Sequence, residues 1–197
     1  MEILSKIIIV ALLTAVIENT VLTRAFGTDV IIIAARNKKQ CMIFGLCITY
    51  ISTATSIPVF FADKYLISNE SSMIYRPVIY VAIIGVIYIL TLITLWRFAY
   101  KVFVSIKKFI HFSAFNSAVL GALFINGIEN ASFISYVATG IGTGLGFFIV
   151  SLLISYSYPK LTSTEIPESF QGIPVTMIFI GILSMAFFAL TGKVPTV

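Results

Sequence analysis

The sequence predicts an all-α membrane protein of about six transmembrane helices, arranged as two inverted three-helix repeats with helices one and four broken. Three observations predict it: a charge-poor composition, six apolar stretches of spanning length, and matches between the two halves at a nearly constant offset. Hydrophobic residues make up 59% of the chain and charged residues 11%, where a soluble domain carries about a quarter charged. That leaves too little polar surface to face water on all sides, which excludes a soluble globular fold.

A helix crosses the hydrocarbon core with roughly 20 mostly apolar residues. Such stretches run from Ile3 to Thr23, Cys41 to Phe61, Val78 to Trp96, Phe109 to Asn126, Ile134 to Tyr156 and Ile173 to Leu190. The first is expected to stay as a structural helix. Its apolar part exceeds a signal-peptide core and runs into Glu18 and Asn19 without a small-residue cleavage site. On the second stretch Cys41 and Cys47 stand six apart, roughly 9 Å by helical rise, too far for a disulfide. They read as small apolar packing residues.

The isoelectric point near 9.3 is a matter of topology. With six crossings, Arg24, Arg36, Lys38, Lys39, Arg97, Lys101, Lys107, Lys108 and Lys160 fall on one side, and Lys6, Lys64, Arg76 and Lys193 on the other. Nine against four puts the first group in the cytoplasm and both termini outside an inner, cytoplasmic membrane. The basic excess then faces the lipid bilayer, and nucleic acid is not an expected partner.

Val21-Leu22 followed by Phe26 recurs as Val119-Leu120 followed by Phe124, an offset of 98. Glu18-Asn19 precedes the first and Asn116-Ser117 the second. Gly45-Leu46 with Ile51-Ser52 recurs as Gly144-Leu145 with Val150-Ser151, an offset of 99. The whole chain therefore reads as one transmembrane domain, residues 1–98 forming the first repeat and 99–197 the second. Because each repeat holds three helices, the second copy enters the membrane from the opposite side, and such inverted repeats hold functional sites near the midplane.

From Ile3 to Arg36 the chain is too long for one straight crossing and is interrupted by Glu18, Asn19, Arg24, Gly27, Thr28 and Asp29. A broken helix is expected, with pieces from Ile3 to Ile17 and Val30 to Ala35 and Gly27 supplying backbone freedom. Asn116-Ser117, followed by Gly121, marks the matching break, and the two breaks should face each other. Glu18 is the leading functional candidate, since a carboxylate in hydrocarbon must be protonated, paired or turned to water. It belongs to an ion path, lies near a helix end, or pairs with Arg24. Asn19 and Asn116 would line the same polar interior or hydrogen-bond between helices.

His111, beside Lys107-Lys108, is expected at the membrane interface rather than on a metal. The glycines Gly140, Gly142, Gly144 and Gly146 follow no strand, and close helix packing explains them better than a phosphate loop. The chain carries no zinc, Walker or Ser/His/Asp pattern, so no self-contained active site is expected.

Asn116-Ser117-Ala118-Val119-Leu120-Gly121, and Ile166-Pro167-Glu168-Ser169-Phe170-Gln171-Gly172 leading into Gly181 to Phe187 and Thr191-Gly192, together with the run from Asn19 through Gly27 to Lys39, carry a family likeness. Over nearly its whole length the chain resembles the Rnf/Nqr membrane subunits, the A-type subunit of Rnf and the E subunit of the sodium-pumping quinone reductase. The resemblance implies a six-helix subunit of an electron transport complex that couples electron transfer to ion translocation. Its implied partners are a homologous membrane subunit of opposite topology and other Rnf/Nqr-like subunits bearing flavin and iron–sulfur centres. In the family each broken helix gives a cysteine to a shared [2Fe-2S] cluster, and the matching positions here are Asp29 and Ser117. Neither is a normal cluster ligand, so the expected role is scaffold or ion path through Glu18, Asn19 and Asn116 rather than cluster carrier. The alternative is a non-redox small-solute or ion transporter of the same fold.

Overall fold

The computed structural model describes residues 2–67 and 74–189. Leu190 at the end of the sixth stretch, the Thr191-Gly192 pair and Lys193 lie outside them. In chain order the described helices are α1 (Glu2–Val16), α2 (Thr20–Arg24), α3 (Thr28–Ala34), α4 (Lys38–Tyr65), α5 (Arg76–Phe98), α6 (Tyr100–Ala114), α7 (Ser117–Ile128), α8 (Phe133–Leu161) and α9 (Ile173–Phe188), with a 3-10 turn at Glu168–Phe170. No strand occurs among the described residues, as the sequence predicts.

By length and composition α4, α5 and α8 can each cross a membrane. The pair α6 and α7, bent by 45° at a short break, can form a fourth crossing, while α1 and α9 are shorter apolar helices. The fourth apolar stretch begins at Tyr100 rather than Phe109. Lys101, Lys107 and Lys108 are thus helical residues with exposed side chains. The reason is local: α5 stops at Phe98, Ala99 turns the chain, and a good helix-forming run resumes at once.

The core sits around α8, which packs between α1 and α4. Two glycine pairs spaced four apart on α8 make this possible. A Cβ on Gly140 would lie 2.9 Å from Thr53 Cα, and one on Gly144 would strike Thr49, both on α4. A Cβ on Gly142 would lie 2.6 Å from the Ala11 carbonyl, and one on Gly146 3.0 Å from that of Ala15, both on α1. Lipid tails are as apolar as leucine, so helices in a bilayer gain little by hiding apolar surface and associate through close backbone approach. The expected packing role of all four glycines is what the geometry shows.

These contacts also fix direction: α8 runs parallel to α1 and antiparallel to α4. The α4–α8 crossing has a reciprocal form. Gly45 of α4 sits against Phe148 of α8, its Cβ position 2.8 Å from Phe148 Cβ, and Gly144 of α8 sits against Thr49 of α4. Adding 99 to residues 45 and 49 gives 144 and 148, so one contact maps onto the other.

Buried hydroxyls at this crossing bond back to their own helices, Thr55 Oγ1 to the Ile51 carbonyl at 2.8 Å, Ser56 Oγ to Ser52 at 2.7 Å and Thr143 Oγ1 to Thr139 at 2.8 Å. The outer faces are apolar, with Val86, Ile89 and Ile93 on α5 and Ile182 and Met185 on α9 all more than half exposed. Cys41 and Cys47 are free and buried, and the Cys41 thiol donates to the Ala34 carbonyl at 3.2 Å. They pack as expected and form no disulfide.

Replacing Gly144 with leucine forces α8 off α4 and is expected to cost about 1–3 kcal/mol or more. Gly181→Leu, at a position with nothing within 4 Å, should change stability by no more than about 0.5 kcal/mol. A thiol-reactive dye that reports the unmasking of Cys41 and Cys47 on heating in detergent reads both.

Candidate functional site at the facing helix breaks

The first break is sewn together by one amide. At the end of α1 the backbone N–H groups of Ile17 and Glu18 both point to the Leu13 carbonyl, at 2.8 and 2.9 Å. The Asn19 side chain then works in both directions. Its Nδ2 donates to the Ala15 carbonyl at 2.7 Å, and its Oδ1 accepts from the N–H groups of Val21 at 3.0 Å and Leu22 at 3.4 Å. A side-chain cap of this kind is worth about 1 kcal/mol in water, and an unmet backbone group in hydrocarbon costs several. At the other end of α2 the Ser184 hydroxyl of α9 donates to the Leu22 carbonyl. Ala25 at φ 57° and Gly27 at φ 79° then turn the chain into α3.

The second break is simpler. After α6 ends at Ala114, Asn116 Oδ1 accepts from the Ala118 N–H at 2.8 Å and caps α7. Both breaks lie where the sequence predicts, although the first holds an extra turn of helix, α2, between its two expected pieces. The expected hydrogen bonds from Asn19 and Asn116 to other spans are not what forms. Each side chain is buried and caps its own break, because the N–H groups freed there are the nearest unmet donors.

The breaks meet directly. Gly27 N–H donates to Ser117 Oγ at 2.8 Å. A Cβ on Gly27 would lie 2.7 Å from Asn116 Oδ1, and the Phe26 ring covers Gly121. Ser117 is exposed on the isolated chain, as is Asp29 in the first turn of α3.

Glu18 is also exposed and lines a polar cleft between α1, α2, α7, α8 and α9. The cleft has two adjoining chambers of about 440 and 330 Å³. Thr14, Glu18, Asn126, Glu129 and Thr139 line both. Arg24 lines the larger one but closes no ion pair with Glu18 within 4 Å. Glu18 is therefore turned to open space. Asn19 and Asn116 do not line either chamber.

One polar centre has no counterpart among the residues the sequence singles out. Asp63, near the end of α4, accepts hydrogen bonds at Oδ2 from Tyr80 of α5, at 2.5 Å, and from Tyr136 of α8. Its Oδ1 lies 3.4 Å from Arg76 Nε, the ion pair found among the described residues. Arg76, counted in the sequence among the four basic residues of the outer side, is 8% exposed. Gly127 of α7 packs on the same group. An acid and a base flanking a short connection between two apolar stretches were the available signal. His111 is exposed, with Nδ1 3.2 Å from the Tyr88 hydroxyl.

Residues 6–194 match the family described as Rnf-Nqr subunit, membrane protein. The chain belongs to the Rnf-Nqr family. Among similar Rnf-Nqr proteins is the A-type subunit of the ion-translocating oxidoreductase complex of Aliivibrio fischeri, 25% identical over 92% of this chain and 94% of that protein. The protein of the same name from Vibrio vulnificus is 24% identical over 97% of this chain and 100% of its own length. That from Glaesserella parasuis is 25% identical over 95% and 97%.

The cluster positions of the Rnf-Nqr resemblance, Asp29 and Ser117, offer a carboxylate and a hydroxyl, and the hydroxyl already accepts the Gly27 N–H. Iron–sulfur clusters take thiolates, with occasional imidazole, so these residues do not fit the group. Cys41 and Cys47 lie on α4 and are buried there, with the Cys41 thiol turned to the Ala34 carbonyl.

Gly27→Ala combines a left-handed backbone with a blocked Cβ and is expected to cost more than about 2 kcal/mol. Ser117→Ala, which strands the Gly27 N–H, should cost about 1–3 kcal/mol. Asp63→Asn leaves Arg76 buried without its counter-charge, at an expected cost of about 3–5 kcal/mol. The double variant Asp63→Leu/Arg76→Met should recover much of that loss, and a melting-based double-mutant cycle reads the coupling.

Proposed function

We propose that this chain is a membrane subunit of an Rnf/Nqr-like electron transport complex that couples electron transfer to ion translocation, acting there as scaffold and ion path. The observation that carries this is the match over residues 6–194, together with relatives named as the A-type subunit of an ion-translocating oxidoreductase complex over more than nine-tenths of the chain. In this reading no [2Fe-2S] cluster is held at Asp29 and Ser117. The Gly27–Ser117 hydrogen bond and the Asn19 and Asn116 caps keep the two breaks in register instead.

The chain forms six spans in two inverted repeats, with α1 to α3 as the first span, α6 with α7 as the fourth, and α9 as the sixth. The antiparallel α4–α8 crossing and its reciprocal contacts 45–148 and 49–144 support this, since an inverted repeat sets its second and fifth spans antiparallel. The basic residues support the orientation. Lys38 at the start of α4 lies 4.0 Å over the ring of Tyr156 near the end of α8, so Lys38, Lys39 and Lys160 share one end of the bundle, the cytoplasmic one. Both termini then lie outside an inner membrane. The exposed Asp29 and Ser117 mark the face that meets a homologous subunit of opposite topology.

Affinity purification of the tagged chain from its native membranes tests this. Flavin- and iron–sulfur-bearing subunits are expected to copurify, together with a homologous membrane subunit. Recovery of the chain alone, with ion or solute uptake when it is reconstituted by itself in vesicles, would establish the non-redox transporter instead.

A further inference from the structure

We infer that the outer face of α6, together with Arg97 at the end of α5, binds the phosphate headgroups of anionic phospholipids. This requires only a membrane-embedded chain and goes beyond both the redox and the ion-path readings.

Helical spacing sets the face. Tyr100, Lys101, Val104, Lys107, Lys108 and His111 follow one another at steps of one, three, three, one and three residues, the spacing of a single side of an α-helix. All six are exposed. The opposite side is taken up by the protein. Ile110, Ser113 and Ala114 are buried, and the Phe109 ring meets Phe44 of α4 edge-on, with ring centres 4.9 Å apart. Helix α6 so packs on α4 and α5 with its cationic side outward.

Position along the chain puts that side at the membrane surface. Helix α5 can cross a membrane and ends at Phe98, and the charge-poor stretch Phe109 to Asn126 begins directly after Lys108. Trp96, Phe98 and Tyr100, each more than half exposed, bracket the turn between the two helices. Exposed aromatic residues of this kind mark the level where hydrocarbon gives way to headgroups. Helix α6 is bent 45° from α7. With α7 upright, the helical rise from Lys101 to Lys108 spans about 7 Å along the membrane normal, roughly one headgroup layer.

Charge selects the lipid. Arg97, Lys101, Lys107 and Lys108 carry four positive charges, and from residue 71 to residue 128 the chain has no Asp or Glu. Among the described residues none of the four has a carboxylate within 4 Å, and Lys107 Nζ lies 5.9 Å from the centre of the Phe103 ring instead. Uncompensated cations at a bilayer surface attract anionic lipids, each worth about fivefold in local lipid concentration. Lysine is depleted from protein–protein contacts, whereas lysines beside aromatic and aliphatic residues are the composition of helices that lie in the headgroup zone.

The test is photocrosslinking in the purified complex, reconstituted in phosphatidylcholine nanodiscs that carry a small share of either phosphatidylglycerol or phosphatidylcholine with a photoreactive headgroup. Mass spectrometry reads the label on residues 97–111 of this chain. The wild type is compared with Arg97→Gln/Lys101→Gln/Lys107→Gln/Lys108→Gln, with the charge-keeping Lys101→Arg/Lys107→Arg/Lys108→Arg, and with Lys39→Gln/Lys160→Gln elsewhere on the chain. The anionic probe is expected to label the wild type at least about fivefold more than the zwitterionic one. That preference should fall to parity in the glutamine variant and persist in the other two, and inorganic phosphate at constant ionic strength should not displace the label. The substituted side chains are all exposed, and melting verifies that the variants fold. Equal labelling of the wild type by both probes, or a preference that survives in the glutamine variant, overturns the site. Loss of the preference in Lys39→Gln/Lys160→Gln assigns it to the general potential of the bundle and overturns it too. So does displacement of the label by phosphate, or crosslinking of this segment to another subunit in place of lipid.

Discussion

Everything in this molecule hangs on how closely α8 approaches its two neighbours. Gly140 and Gly144 admit the backbone of α4, and Gly142 and Gly146 admit that of α1. With the helices this near, many small attractions replace the water-driven burial that a bilayer cannot supply. The approach also sets direction and register. It holds the end of α1 beside α8, and so fixes where the first break falls.

The second constraint follows from the first. Once α1 stops at Val16, the chain continues as irregular backbone, and each freed N–H and carbonyl must find a partner inside the protein. Asn19, Asn116, Ser184 and Ser117 meet that need with single side chains. The family resemblance implies thiolates on iron at these two breaks. In the structure the Ser117 hydroxyl receives the Gly27 N–H across the joint. The polar cleft lies beside this joint.

Apolar stretches, glycine spacing and both breaks were legible in the sequence because each is a local property: hydropathy, small residues four apart, a polar pair inside an apolar run. Even the reciprocal crossing was prefigured by the recurrence of Gly45-Leu46 at Gly144-Leu145. What was not legible depends on three-dimensional neighbours. Asn19 reads as a polar residue that could bond in any direction, and only the angle between α1 and α2 turns it into a double cap. Asp63 and Arg76 stand thirteen residues apart on either side of a connection, and only the convergence of α4, α5 and α8 brings them together with Tyr80 and Tyr136. Glu129 carries no local signal, because Glu18, which lines the same cleft, is more than a hundred residues away in sequence.

The central proposal is that this subunit holds its joint of two helix breaks without iron. The direct measurement is subunit-resolved iron and acid-labile sulfide analysis, with EPR spectroscopy of the reduced complex before and after Ser117→Ala and Asp29→Asn. The account predicts that no cluster signal changes with either substitution and that no iron remains with this chain when the subunits are separated. A signal lost or shifted by either substitution, or iron retained by the isolated chain, would contradict it.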